Sequence, residues 1–196
     1  AAGGPTGQLQ RADQADARMR ADSALELPPL HGVPCTIKEC FALTGMPQSA
    51  GMVARRELVS SSDAPAVARL RRAGAIPLGV TNVSEACMWM ESNNYVYGRS
   101  NNPYDPHHTV GGSSGGEAAI VGAGASPFGL GSDVGGSIRG PASFNGVFGH
   151  KPTGGLVPGT GQHPVASPAA RRILTTGPIA RRAEDLMPLL RILAGP

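Results

Sequence analysis

In GVPCTIKECF, which starts at Gly32, apolar Val33, Cys35 and Ile37 alternate with Pro34, Thr36 and Lys38. A period of two predicts a strand or extended segment that ends at Lys38. Pro34 has no backbone N–H to donate, which keeps this segment off the middle of a fully paired ladder. The period changes in DAPAVARLRRAG, where Val67, Leu70 and Arg71 fall at helical spacing. Asp63 is placed to cap that helix and Gly74 to stop it, predicting a helix over about 64–73. AIPLGV at 75–80 then reads as a short buried strand.

Further along, SSGGEAAIVGAGAS starts another helix, with Ser114 and Glu117 at the S-x-x-E spacing of a capping box, and FGLGSD follows as a strand. A last helix over about 183–194 puts Leu186, Leu189, Leu190 and Leu193 on one face. Pro188 inside it costs about 3 kcal/mol unless it kinks the helix or lies in the first turn. Near the start, residues 8–22 (QLQRADQADARMRAD) predict a polar surface helix with little apolar face, broken by ELPPLH. Helices followed by apolar strands imply an α/β fold, a mixed but mostly parallel sheet covered by helices. No repeat or linker divides the 196 residues, so one domain is expected.

Composition adds one unusual feature: 28 glycines and 18 prolines, against a usual combined share of roughly 12 %. The backbone itself is therefore expected to carry function. The net charge of +3 comes from scattered arginine pairs without interleaved aromatics, which argues for a solvated surface and against nucleic acid. Cys35, Cys40 and Cys87 form no CxxC pair; they read as buried small hydrophobes in a reducing, intracellular compartment, not as zinc ligands or disulfides. No segment reads as a signal peptide or a spanning helix, and the start at Ala1 without Met suggests a processed product or a fragment. Met88, Trp89 and Met90 fit core packing first, with an acyl channel or membrane contact as the alternatives.

Chemistry concentrates in VGGSSGGEAAIVGAGASPFGLGSDVGGSIRG, residues 110–140. GGSSG matches G-x-S-x-G at Ser113, but the preceding RSNNPYDPHHT is turn chemistry, not the hydrophobic strand that a nucleophile elbow needs. An α/β-hydrolase triad of that serine with Asp133 and His150 or His163 thus loses its context. His107 and His108 beside Asp105 lack a spaced third metal ligand, and the other histidines sit beside Gly or Pro. Lys38 is a candidate base, since a half-buried lysine yields its proton more readily; the competing reading is a surface lysine paired with Glu39. DVGGSIRG, residues 133–140, places consecutive backbone N–H groups where they can converge on an anion, and an oxyanion site beside Ser137 fits better than a phosphate cradle.

Taken together, GVPCTIKE, AGAIPLGVTNVSE and GGSSGG through GHKPT resemble the amidase signature family over about residues 30–196. The resemblance implies a Ser-Ser-Lys triad without metal or cofactor: Ser137 as nucleophile, Ser113 as bridge and Lys38 as general base. It further implies an oxyanion hole from the N–H groups of Val134, Gly135, Gly136 and Ser137, with Ser114, Asp133 and Arg139 in support. A cis peptide is implied at Gly112–Ser113. The small-molecule substrate would be a lipid-like carboxylic amide, because amidotransferase members usually carry another residue where Glu117 stands. A homodimer is compatible with this reading. The family core is about twice this length, so the chain is expected to be a partial domain. The competing functions are an inactive fragment or binding module and an amidotransferase subunit releasing ammonia from glutamine.

Overall fold

The computed structural model describes residues 5–21 and 26–195. Its centre is a five-stranded sheet of β1 (Pro34–Lys38), β2 (Ile76–Thr81), β5 (Phe128–Asp133), β6 (Phe148–Gly149) and β7 (Thr175–Ala180), in the order β2-β1-β5-β7-β6. β2, β1 and β5 run parallel, β7 is antiparallel to β5, and β6 is antiparallel to β7. Four strands therefore point one way and β7 alone is reversed, the mostly parallel α/β arrangement expected. Two short strands, β3 (Asn93–Asn94) and β4 (Gly98–Arg99), form a separate hairpin.

Helices cover both faces. On one, α2 (Pro65–Arg72) and α5 (Leu186–Ala194) pack against Cys35, Ile37, Phe128 and Leu130 of the sheet, burying Val67, Leu70, Leu189 and Leu193. On the other, α3 (Gly115–Gly122) and α4 (Arg139–Phe144) enclose Ala118, Val121, Ile138, Ala142 and Ile179. This double cover explains the first departure from the sequence pattern. In β1 the polar positions are as buried as the apolar ones, with Thr36 and Lys38 sealed under α3 instead of facing water. β1 is also a central strand, paired on both sides. Pro34 is tolerated because it is the first residue, where only β2 lies alongside.

β2 is an edge strand, so AIPLGV is not buried throughout, and Leu78 is 44 % exposed. Asp63 makes no cap on α2, whose N-cap is Ala64. Its carboxylate instead accepts from the N–H and hydroxyl of Thr44 at 2.8 and 2.7 Å and pairs with Arg71 at 2.7 Å. Pro188 is the third residue of α5, within the first turn, where its missing N–H has no intrahelical partner to lose. The polar helix α1 (Pro5–Ala21) begins three residues earlier than its pattern suggested; residue 22, the last of the expected span, lies outside the described residues.

Because Leu193 is buried between α5 and α2, Leu193→Ala is expected to destabilise the fold by about 2–5 kcal/mol in urea unfolding. A loss below about 1 kcal/mol would place α5 outside the core.

Candidate active site

Parallel pairing of β1 with β5, in the register Thr36↔Gly129 and Ile37↔Leu130, brings their carboxyl ends side by side. Open α/β sheets bind ligands at such ends. Lys38 closes β1 and is fully buried; its Nζ donates to Ser113 Oγ at 2.6 Å and to Ser132 Oγ at 3.0 Å, with the Ser132 carbonyl at 3.5 Å. The Lys38–Glu39 pair weighed from sequence does not form. Glu39 turns to the opposite side, where its carboxylate accepts from Ser49 N–H, Ser49 Oγ and Ala50 N–H at 2.6 Å each and from Tyr97 at 2.8 Å.

Ser113 sits in the turn before α3, after a cis Gly112–Ser113 peptide. A Cβ at Gly112 would press on backbone atoms of Trp89, Met90 and Glu91, so the tight approach requires glycine there. Ser114 does not cap α3: its hydroxyl donates to the Ser132 carbonyl at 3.2 Å, and its N–H donates to the Ser137 carbonyl at 3.2 Å. It thus ties the first glycine nest to both β5 and the second nest. Ser92 completes the tie, accepting from Gly115 N–H at 2.8 Å and donating to the Gly111 carbonyl at 3.1 Å.

The second nest follows β5. Asp133 accepts from the N–H groups of Gly136, Ile138 and Arg139 and holds the Arg139 guanidinium through two contacts of 3.0 Å. Burial by itself would raise the Asp133 carboxyl, but Arg139 and the backbone donors outweigh it and hold its pKa at about 2. The Gly136 N–H, one of the four oxyanion donors that the resemblance implies, donates to Asp133 at 2.7 Å in this structure. Among the described residues, the N–H groups of Val134, Gly135 and Ser137 have no protein acceptor, and no hydrogen bond joins Ser113 Oγ to Ser137 Oγ.

Ser137 lines a cleft of about 430 Å³ together with Gly135, Cys87, Met88, Trp89 and Phe144. The Met88–Met90 cluster is therefore not core, since its three side chains are 65–79 % exposed. Cys87 is likewise only half-buried, whereas Cys35 and Cys40 are fully enclosed. Sequence reasoning passed over Ser132 and Cys87: a serine inside a strand pattern carries no chemical signal until the fold puts it next to Lys38, nor does a cysteine beside apolar residues until the fold sets it on the cleft wall. His108 bonds Asp105 at 2.8 Å on the surface, and among the described residues no group of three His, Cys, Asp or Glu could hold a metal.

The S-x-x-E spacing predicts a capping role for Glu117, but the side chain points inward. Its carboxyl accepts from Thr36 and, at 2.5 Å, from Thr81. A Cβ at residue 129 would collide with this carboxyl, which accounts for the glycine in FGLGSD. Burial pushes its pKa up to about 7, against the pull of the two hydroxyls and Lys38.

A sequence model of the family Amidase matches residues 5–196. The chain belongs to the amidase family. Fatty-acid amide hydrolase 2-A of Danio rerio is 62 % identical over 86 % of this chain and 32 % of its own length. A glutamyl-tRNA(Gln) amidotransferase component from Symbiobacterium thermophilum is 40 % identical over 96 % of this chain and 38 % of its own. The solved native peptide amidase of Stenotrophomonas maltophilia superposes with a TM-score of 0.87 at 37 % identity, over 96 % of this chain and 38 % of that one. The chain thus spans about a third of the length of the curated amidase relatives it matches.

Two titrations of opposite sign follow from these surroundings. Glu117 favours the folded state while protonated, and that contribution is lost as pH rises from its ordinary 4.5 to about 7. Asp133 favours it while ionised, a contribution lost as pH falls from 3.8 to about 2. The unfolding free energy of wild type relative to Glu117→Gln should fall between pH 4.5 and 7, measured by urea unfolding; a difference independent of pH in that window contradicts the assignment.

Proposed function

We propose that the protein is a serine amidase that hydrolyses a lipid-like carboxylic amide to acid plus amine or ammonia through an acyl-enzyme. The observation that carries this reading is the 2.6 Å hydrogen bond between buried Lys38 and Ser113, at the mouth of two glycine nests. Lys38, as a neutral amine, takes the Ser113 proton while Ser113 takes that of Ser137. Ser137 Oγ attacks the amide carbonyl. The N–H groups of Val134, Gly135 and Ser137 receive the oxyanion, with Gly136 held back by Asp133. The proton returns along the same relay to the leaving nitrogen, and water then releases the acid.

The Ser113–Ser137 hydrogen bond that this relay needs is expected to form when substrate binds, as catalytic hydrogen bonds are often unformed before then. Asp133 and Arg139 order the loop that presents the oxyanion donors. Ser114 and Ser132 hold the relay partners from below. Lipid-like substrate is favoured by the exposed apolar wall of Met88, Trp89 and Phe144 beside Ser137 and by the likeness to a fatty-acid amide hydrolase.

A fluorophosphonate should label Ser137 covalently, with labelling lost in Ser137→Ala and slowed roughly 10²–10⁴-fold in Lys38→Ala. Labelling that survives Ser137→Ala removes the nucleophile assignment. Release of acid from a long-chain fatty amide but not ammonia from glutamine is expected; the reverse pattern, stimulated by a partner protein, would favour the amidotransferase reading that the 40 % identical relative suggests.

A further inference from the structure

Glu117, the third residue of α3, is fully buried, and its carboxyl lies against three parallel strands at once. It accepts from the Thr36 hydroxyl of β1 and, at 2.5 Å, from the Thr81 hydroxyl of β2, while the absent Cβ of Gly129 makes room for it on β5. Thr36 and Lys38 stand two apart on β1 and so share a face, and Thr81 is the register partner of Lys38. The turn that leads into α3 carries Ser113, four residues before Glu117. Helix and strand are thus joined by two side-chain contacts, Lys38 to Ser113 at 2.6 Å and Thr36 to Glu117.

The other ties of this turn lead elsewhere: Ser114 to Ser132 and Ser137, Gly115 to Ser92, and Gly116 to the Asn82 carbonyl. Among the described residues, the bond to Thr36 is the side-chain hydrogen bond from α3 itself to the strand that carries the amine. Ala118 and Val121 also hold the helix, against Ile138, Ala142 and Ile179. Such apolar packing is non-directional, whereas a hydrogen bond fixes a separation to a few tenths of an ångström.

We propose that Glu117 is a positioning residue of the proton relay: by bonding Thr36 and Thr81 it seats α3 on β1 and β2 and thereby sets the Lys38–Ser113 contact. The assignment rests on the serine amidase reading above. Side-chain length carries the role, not charge. A protonated carboxyl keeps the bridge, since it donates to the Thr81 hydroxyl, which turns its own hydrogen to the Ile37 carbonyl at 3.5 Å. Glutamine reproduces that arrangement, its Nε2 donating to Thr81 and its Oε1 accepting from Thr36. Aspartate is one methylene shorter and reaches both hydroxyls only if α3 moves, and with it the turn that holds Ser113.

Labelling of Ser137 by a fluorophosphonate, followed to completion at several reagent concentrations, separates kinact, KI and the fraction of protein that labels. Glu117→Asp should lower kinact by about 10²-fold with KI and the labelled fraction unchanged, and Glu117→Gln should recover kinact to within about fivefold of wild type. Thr36→Val removes the β1 end of the same bond and should lower kinact by about tenfold, which decides the matter where Glu117→Asp does not fold. In crystals of either slowed variant, the Lys38 Nζ–Ser113 Oγ separation should widen beyond the roughly 3.2 Å of a hydrogen bond. An unchanged separation or a wild-type kinact in these variants overturns the proposal. A smaller labelled fraction at wild-type kinact does so too, because it marks a purely stabilising role, as does Glu117→Gln labelling as slowly as Glu117→Asp, because it marks a role for charge. Wild type that fails to label at Ser137, while the separation widens in the variants, removes the amidase reading and keeps Glu117 as the residue that sets the contact.

Discussion

Enclosing the amine of Lys38 is the constraint on which the rest of the site depends. A polar group taken fully out of water costs several kcal/mol unless it finds partners. Lys38 finds them on two other elements, Ser113 before α3 and Ser132 at the end of β5. Those bonds form only if β5 lies beside β1 in its observed register and the glycine turn folds down over both. Sheet order, register and the path of the first nest are thus coupled to a single side chain. The serines that satisfy it are themselves stitched together by Ser114 and Ser92.

Around that amine, three buried carboxyl groups meet different fates because their surroundings differ. Asp133 collects a guanidinium and three backbone donors and stays ionised, and its charge orders the loop over 134–138. Glu39 spends its acceptors on Ser49, Ala50 and Tyr97, fixing a neighbouring loop without touching Lys38. Glu117 has only two hydroxyls, and in that drier setting its proton is held to near neutrality. The number and charge of donors decide each case, not the residue type.

The cleft wall shows a second kind of constraint. Residues 82–100 are pinned near their ends, where Asn94 donates to Asn82 Oδ1 and the Val83 carbonyl at 2.7 Å and Asn82 reaches the Gly98 carbonyl at 3.0 Å. Between these anchors the chain passes through left-handed Ala86 and Cys87 and leaves Met88, Trp89 and Met90 outside. One short segment therefore supplies the apolar face beside Ser137.

Much of this was legible in the sequence where the signal is local. Periodicity marked β1, α2, β5 and α5, and the glycine-flanked serines with Lys38 marked the site, because strand alternation and nest-forming glycines act over a few residues. Capping spacing misled twice: Asp63 and Glu117 have the right positions for local bonds, but other partners claim their carboxylates, Thr44 and Arg71 in the first case and Thr36 and Thr81 in the second. Alternation in β1 left open how deeply its polar positions would lie, and covering the sheet on both sides buried Thr36 and Lys38 with the apolar ones. Local pattern determined which residues could do chemistry and which segments would be strands or helices. Only the tertiary structure decided that β1 is central, that Ser132 joins Lys38, and that Gly136 serves Asp133, because each depends on how the chain packs around the sheet and the nests, not on the spacing of residues along it.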